Sequence, residues 1–169
     1  MPSPITVNIR LKTYLIKYLE NKYGKQPLEF PKKDRYGSII PHLLRKPYAS
    51  ENQFENYGEE NLTIVLPWCE EKNVLYHNFM PSSSQSMFED IIYKAFRVEF
   101  HDFMNEAYNC RVGIQEAVLV FMDLNGLDPR VSDMLIKERQ RYMDNQRLAK
   151  WRKRKSRQLT EKFVSEETD

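Results

Sequence analysis

The sequence predicts an α+β fold, in which a small sheet of about three strands is packed by three to four helices. Short stretches with an apolar residue at every second position are typical of strands, and longer stretches with apolar residues three or four positions apart are typical of helices. The chain has 169 residues, 41% of them hydrophobic, which is enough to bury one core. We expect a compact domain over 1–142 and a projecting basic helix with an acidic tail over 143–169.

Three stretches of the sequence are candidate strands. Over 5–11, isoleucine, valine and leucine alternate with polar residues, which predicts a half-buried strand. The same alternation predicts a second strand over 62–67. The apolar run over 74–79 indicates a third strand, so that 62–79 would form a hairpin with a loop of several residues. The sheet is therefore expected to be antiparallel or mixed.

Helical spacing of apolar residues predicts three helices, near 12–23, 86–109 and 114–125. Ser86 followed by Glu89 fits a capping box at the start of the second helix. A short helix is also predicted around 38–44, where Pro41 would have to lie in the first turn because proline cannot donate a backbone hydrogen bond.

A long basic helix is predicted at the end of the chain. Asp128 fits its N-cap and Pro129 its first position, and the helical pattern continues to about Gln158. The apolar content falls after Tyr142. The first half of this helix is therefore expected to pack on the core, and the second half to project from it.

Charge is strongly segregated, although the net charge is only +2. The net charge is +7 over 1–48, −10 over 49–129, +8 over 130–157 and −3 over 158–169. Such asymmetry indicates contact with nucleic acid or with an acidic surface. Mutual neutralisation of the basic ends and the acidic middle within the fold is the alternative.

The sequence does not favour catalysis or a cofactor. His42, His77 and His101 are scattered, and neither Cys69 nor Cys110 has a neighbouring ligand at metal spacing. There is no serine nucleophile motif and no glycine-rich phosphate loop. We therefore expect a protein that is not an enzyme and needs neither a metal nor another cofactor.

Sequence patterns of membrane proteins are also missing. No apolar run approaches the roughly 20 residues needed to cross a bilayer, and the N-terminus lacks the apolar core of a signal peptide. We expect a cytoplasmic protein, in which the two cysteines would stay reduced.

Two segments are similar to parts of DNA-binding families. The stretch 149–154 is similar to the end of a homeodomain recognition helix, but Gln146 stands where that helix has its adenine-reading asparagine. The opening strand and helix resemble ribbon-helix-helix proteins, in which Thr6, Asn8 and Arg10 would face the DNA. A proline-rich segment follows instead of the second helix, so we expect this strand to pair with 62–66 in the chain's own sheet.

Three motifs, YLxKYLxxKYG from Tyr14, FPKK…RKP from Phe30 and FMDLNGL…ERQRYMDNQR from Phe121, resemble uncharacterised small proteins of phages and mobile elements of anaerobic gut bacteria. The resemblance implies a mobile-element setting, in which DNA is often the partner. It implies no active residues.

The basic stretch NQRLAKWRKRKSRQ, residues 145–158, holds seven Lys or Arg residues, one Trp and no acid. It predicts a non-enzymatic protein that binds duplex DNA through the C-terminal helix and the basic N-terminal region. The candidate contacts are Arg139, Arg141, Arg147, Lys150, Trp151, Arg152, Lys153, Arg154, Lys155 and Arg157, with Lys32, Lys33 and Arg35. The alternative is a virion-structural or interaction module whose basic arm docks on an acidic protein. A homo-oligomer and a phage protein partner both stay open.

Overall fold

The computed structural model of the chain describes residues 4–47, 60–69 and 72–166, with backbone alone for 60 and 158–166. The elements follow in the order β1 (Thr6–Leu11), α1 (Thr13–Tyr23), β2 (Leu28–Glu29), α2 (Arg35–Leu43), β3 (Glu60–Val65), α3 (Ser82–Asn109), α4 (Ile114–Leu124) and α5 (Ser132–Glu166). This arrangement confirms the predicted α+β class and the long basic C-terminal helix.

The sheet has three strands in the order β1-β3-β2 and is mixed. β1 pairs antiparallel with β3, from Thr6 opposite Val65 to Leu11 opposite Glu60. β2 pairs parallel with β3 on its other edge, with Leu28 opposite Ile64. The predicted strands over 5–11 and 62–67 are thus confirmed, and so is their pairing within the chain's own sheet.

The predicted strand over 74–79, and with it the hairpin over 62–79, is wrong. The backbone N–H groups of Tyr76 and His77 both donate to the carbonyl of Asn73, and the Asn73 side chain accepts from the N–H of Leu75 at 3.0 Å. Such local hydrogen bonds by asparagine compete with strand pairing and close a turn. Phe79 forms only an isolated bridge with Arg45, and the third strand of the sheet is β2.

The predicted helices near 12–23, 86–109 and 114–125 correspond to α1, α3 and α4. The capping box at Ser86 and Glu89 is wrong as a helix start, because α3 begins four residues earlier, and Glu89 pairs with Lys12 at 3.2 Å instead. The short helix is present as α2, but it begins at Arg35, so Pro41 lies near its C-terminal end and not in its first turn.

The core lies between the sheet and α1 to α4, and one face of α3 runs through all of it. Five buried side chains recur at intervals of four residues on that face: Phe88, Ile92, Phe96, Phe100 and Met104. The rings of Phe96, Phe100 and Phe121 pack edge to face or stacked, at centroid distances of 5.1–6.5 Å. Because residues four positions apart lie on the same face of a helix, α3 buries one face along most of its length.

The start of α5 follows the predicted signals. The Asp128 carboxylate accepts a hydrogen bond from the backbone N–H of Arg130 at 2.8 Å, and Pro129 opens a 3-10 turn that ends at Val131. α5 then runs to Glu166, beyond the predicted end near Gln158. Across the described part of the chain, no helix is both long enough and apolar enough to cross a membrane.

Candidate nucleic-acid interface

The first half of α5 is held against α3. Leu135 is completely buried, and the carboxylate of Glu138 lies 2.6 Å from Arg97 Nε and 3.5 Å from His101 Nε2. The rings of Tyr142 and His101 are stacked with centroids 3.9 Å apart. Because the contacting positions increase together along both helices, α5 runs beside α3 in the same direction.

The second half of α5 is exposed to solvent. Every residue from Asp144 to Arg157 is exposed, and Trp151 retains 54% of its accessible surface. In the described side chains of this stretch, the one ion pair joins Arg147 to Asp144 at 3.8 Å, between two well-exposed groups. An exposed pair of this kind contributes little and leaves the stretch strongly positive.

Part of this positive charge is concentrated on one side of the helix. With about 3.6 residues per turn, four cations fall within an arc of about 80°. They are Arg147, Lys150, Arg154 and Arg157. Arg141, Arg152 and Lys155 lie on the opposite side, while Lys153 lies next to the four. The ammonium of Lys155 sits 4.7 Å from the centre of the Trp151 ring.

Arg139 lies apart from the exposed cations. Only 4% of its surface is accessible, and its guanidinium lies over the ring of Tyr142, 5.4 Å from the ring centre. Burial lowers the pKa of Arg139 from its ordinary value, opposed by the nearby Tyr142. We therefore leave Arg139 out of the exposed surface, although it was a candidate contact.

The N-terminal candidates are exposed: Lys32, Lys33 and Arg35. They lie just before Tyr36, whose ring packs on Phe88 near the start of α3, with the two ring centroids 6.0 Å apart. The basic half of α5 extends past Tyr108 near the other end of α3, about 30 Å away along the helix. The structure therefore does not bring the two basic regions together.

The acidic middle of the chain pairs with two of the N-terminal cations. Lys12 pairs with Glu89, and Lys22 pairs with Glu99, both on α3. Neutralisation within the fold is thus seen for α1 and the residue before it. It is not seen, among described side chains, for the exposed half of α5.

The polar contacts between α3 and α5 are not predicted by the sequence patterns. His101, Glu138 and Arg139 are buried or nearly so, and the half-buried Tyr142 and the exposed Tyr108 line the adjoining groove. One signal was available, because Arg139 follows the core residue Leu135 by four positions and therefore lies on its side of the helix.

The geometry defines an α+β protein with a long, exposed basic helix. Within the described residues, no group of three or more His, Cys, Asp or Glu side chains could hold a metal ion, and Cys69 and Cys110 are not joined by a disulfide. Comparison with protein-family models, curated proteins and solved structures finds no match for the chain.

Proposed function

We propose that the chain is a non-enzymatic DNA-binding protein of a phage or mobile genetic element, acting in the host cytoplasm or carried in the virion. It binds duplex DNA through the exposed half of α5. One observation supports this most: the exposed residues from Asp144 to Arg157 carry seven cations and a single acid.

The dimensions of the helix match those of DNA. An α-helix rises about 1.5 Å per residue and is about 10–12 Å wide, and the major groove is about 12 Å wide. Duplex DNA carries one negative charge per roughly 1.7 Å of its axis. A helix with four cations on one side can therefore contact several phosphates and release their counterions.

The mobile-element setting is supported by the resemblance of the segments that begin at Tyr14, Phe30 and Phe121. The exposed Lys32, Lys33 and Arg35 would add a second, separate contact with the backbone of a longer duplex. Their distance from α5 means that a short duplex would engage only the helix.

A salt-resolved titration tests the proposal. Affinity for a short duplex should fall steeply with salt, with a slope of about −5 in a plot of log affinity against log salt if six phosphates are neutralised. Single-stranded DNA and RNA of the same length serve as comparisons. A slope near zero would show that α5 does not engage phosphates.

The alternative is an interaction or virion-structural module whose basic arm docks on an acidic protein. Exposed apolar side chains on α4 favour protein contact: Leu119, Val120 and Leu124 retain 46–59% of their surface. Under this alternative, the same titration would show no affinity for any nucleic acid, while an acidic protein surface would bind the arm.

A further inference from the structure

A groove lies between the C-terminal half of α3 and the middle of α5. It encloses about 350 Å³, and the side chains that matter here are Tyr108, Arg139, Tyr142, Gln146, Arg147 and Lys150. Its volume lies within the range of small-ligand sites. Three of the lining side chains are cations, and none of the described lining residues is acidic.

Arg139 is the innermost of these cations and has no counter-anion among the described residues. Its Nε and Nη1 atoms are buried and without a hydrogen-bond partner. The carboxylate nearest in sequence, Glu138, lies against Arg97 and His101 instead. Arginine stays protonated in proteins, so a buried guanidinium without an anion costs free energy that a bound anion would recover.

Phosphate is the anion that suits this groove. A guanidinium donates charge-assisted hydrogen bonds to phosphate oxygens, and Arg147 and Lys150 add charge at the solvent side. The same side of α5 continues into Arg154 and Arg157, which belong to the proposed DNA surface. A strand bound there would pass the opening of the groove.

An aromatic ring stands beside the cations. Tyr108 retains 68% of its surface, so its side chain is accessible to a ligand. The ring of Tyr142 is already stacked on His101 and covered by Arg139. Bases stack on exposed aromatic side chains without regard to sequence.

Building on the proposed DNA binding, we propose that the groove holds one unpaired nucleotide of a DNA strand. Its phosphate meets Arg139, with Arg147 and Lys150 beside it, and its base stacks on Tyr108. The protein would therefore bind duplex ends with an overhang more tightly than blunt duplex.

Fluorescence anisotropy on two hairpin duplexes, one blunt and one with a short thymidine overhang, tests this preference. The overhang should bind about tenfold more tightly, from stacking on Tyr108. Tyr108→Ala should remove the difference. Tyr76→Ala, which truncates an equally exposed tyrosine on the turn after β3, should keep it. Equal binding of both duplexes by the unaltered protein would overturn the proposal.

Thermal melting with thymidine monophosphate tests the groove without DNA. The nucleotide should raise the melting temperature, whereas thymidine without phosphate should not. Arg139→Met removes the buried charge at similar volume, so it should abolish the protection without lowering the melting temperature of the free protein. Protection without an overhang preference would overturn the strand assignment in favour of a free nucleotide.

Two outcomes separate this inference from the proposed function. If blunt duplex binds but neither the overhang preference nor the protection is seen, the groove is not a nucleotide site and the DNA-binding role of α5 stands. If blunt duplex fails to bind while Arg139-dependent protection persists, the proposed function fails and the nucleotide site stands. Equal protection by an acidic peptide would overturn the nucleotide assignment.

Discussion

His101 is a buried histidine between opposing charges. Burial is the main cause that lowers its pKa, and Arg97 and Arg139 act in the same direction. The Glu138 carboxylate, 3.5 Å away, acts in the opposite direction. Because that carboxylate is already paired with Arg97, it does not compensate for burial, and the neutral imidazole is favoured in the folded chain.

This depressed pKa predicts a loss of stability in mild acid. The unfolded chain protonates His101 near its ordinary pKa of about 6.5, and the folded chain does so only at lower pH. Stability that is present above about pH 6.5 should therefore be lost as the pH falls through the folded pKa. Urea unfolding at pH 7.5 and at pH 5.5 measures the loss.

The matched variant is His101→Phe, which keeps an aromatic ring against Tyr142 and cannot titrate. Its stability should fall less between the two pH values than that of the unaltered protein, because phenylalanine takes up no proton. His42 and His77 are present in both proteins, so their contribution cancels in the comparison. Equal losses in the two proteins would mean that His101 is not the titrating group.

At the scale of the element, the second half of α5 acts through the arrangement of its charges. Its cations lie on two opposite sides, and only one of these continues the side that buries Leu135 and Arg139. That side faces the same way as the groove beside α3. A duplex that contacts both α5 and the body of the molecule must therefore approach from it.

Two triple variants with equal loss of charge test this orientation. Replacing Lys150, Arg154 and Arg157 by Gln should weaken duplex binding about tenfold to a hundredfold at modest salt, while keeping helix propensity similar. Replacing Arg141, Arg152 and Lys155 by Gln should cost less. Equilibrium binding at matched ionic strength decides between them. Equal losses would indicate a polycation whose geometry does not matter.

At the scale of the whole molecule, the compact part of the chain, up to about Tyr142, and the basic second half of α5 differ in how much apolar surface they bury. The body has a continuous core from β1 to Leu135 on α5. Beyond Asp144 the described side chains are exposed, including Leu148 and Trp151 at about half of their surface. Division of the chain into 1–142 and 143–169 thus stays a prediction with a direct test.

Ending the chain at Asn145 is that test. The shortened protein should unfold cooperatively, with a free energy of unfolding within about 1 kcal/mol of that of the full chain, because the described side chains that it loses, 146–157, are all exposed. Its affinity for duplex DNA should fall to the level of the N-terminal region alone. A loss of several kcal/mol in urea unfolding would show that Leu148 or Trp151 supports the core.

The helices and two of the strands could be predicted from the sequence because their signals are local. Apolar spacing along α3 and alternation along β1 each lie within a few residues of one another. The exposed cations of α5 were predictable for the same reason, since a helix segment with few apolar residues has little to bury. The strand prediction over 74–79 failed because Asn73 closes a turn there.

The sequence by itself thus determined the fold class, the presence of the helices and the basic face of α5, because helical period and net charge are properties of short segments. Only the tertiary structure decided that β2 is the third strand, that Lys32 and its neighbours lie far from α5, and that Arg139 is buried beside a groove. These features depend on contacts between residues distant in the chain, such as Leu28 with Ile64 and His101 with Tyr142. Contacts between distant residues are decided by tertiary packing, and they produce no periodic pattern in the sequence.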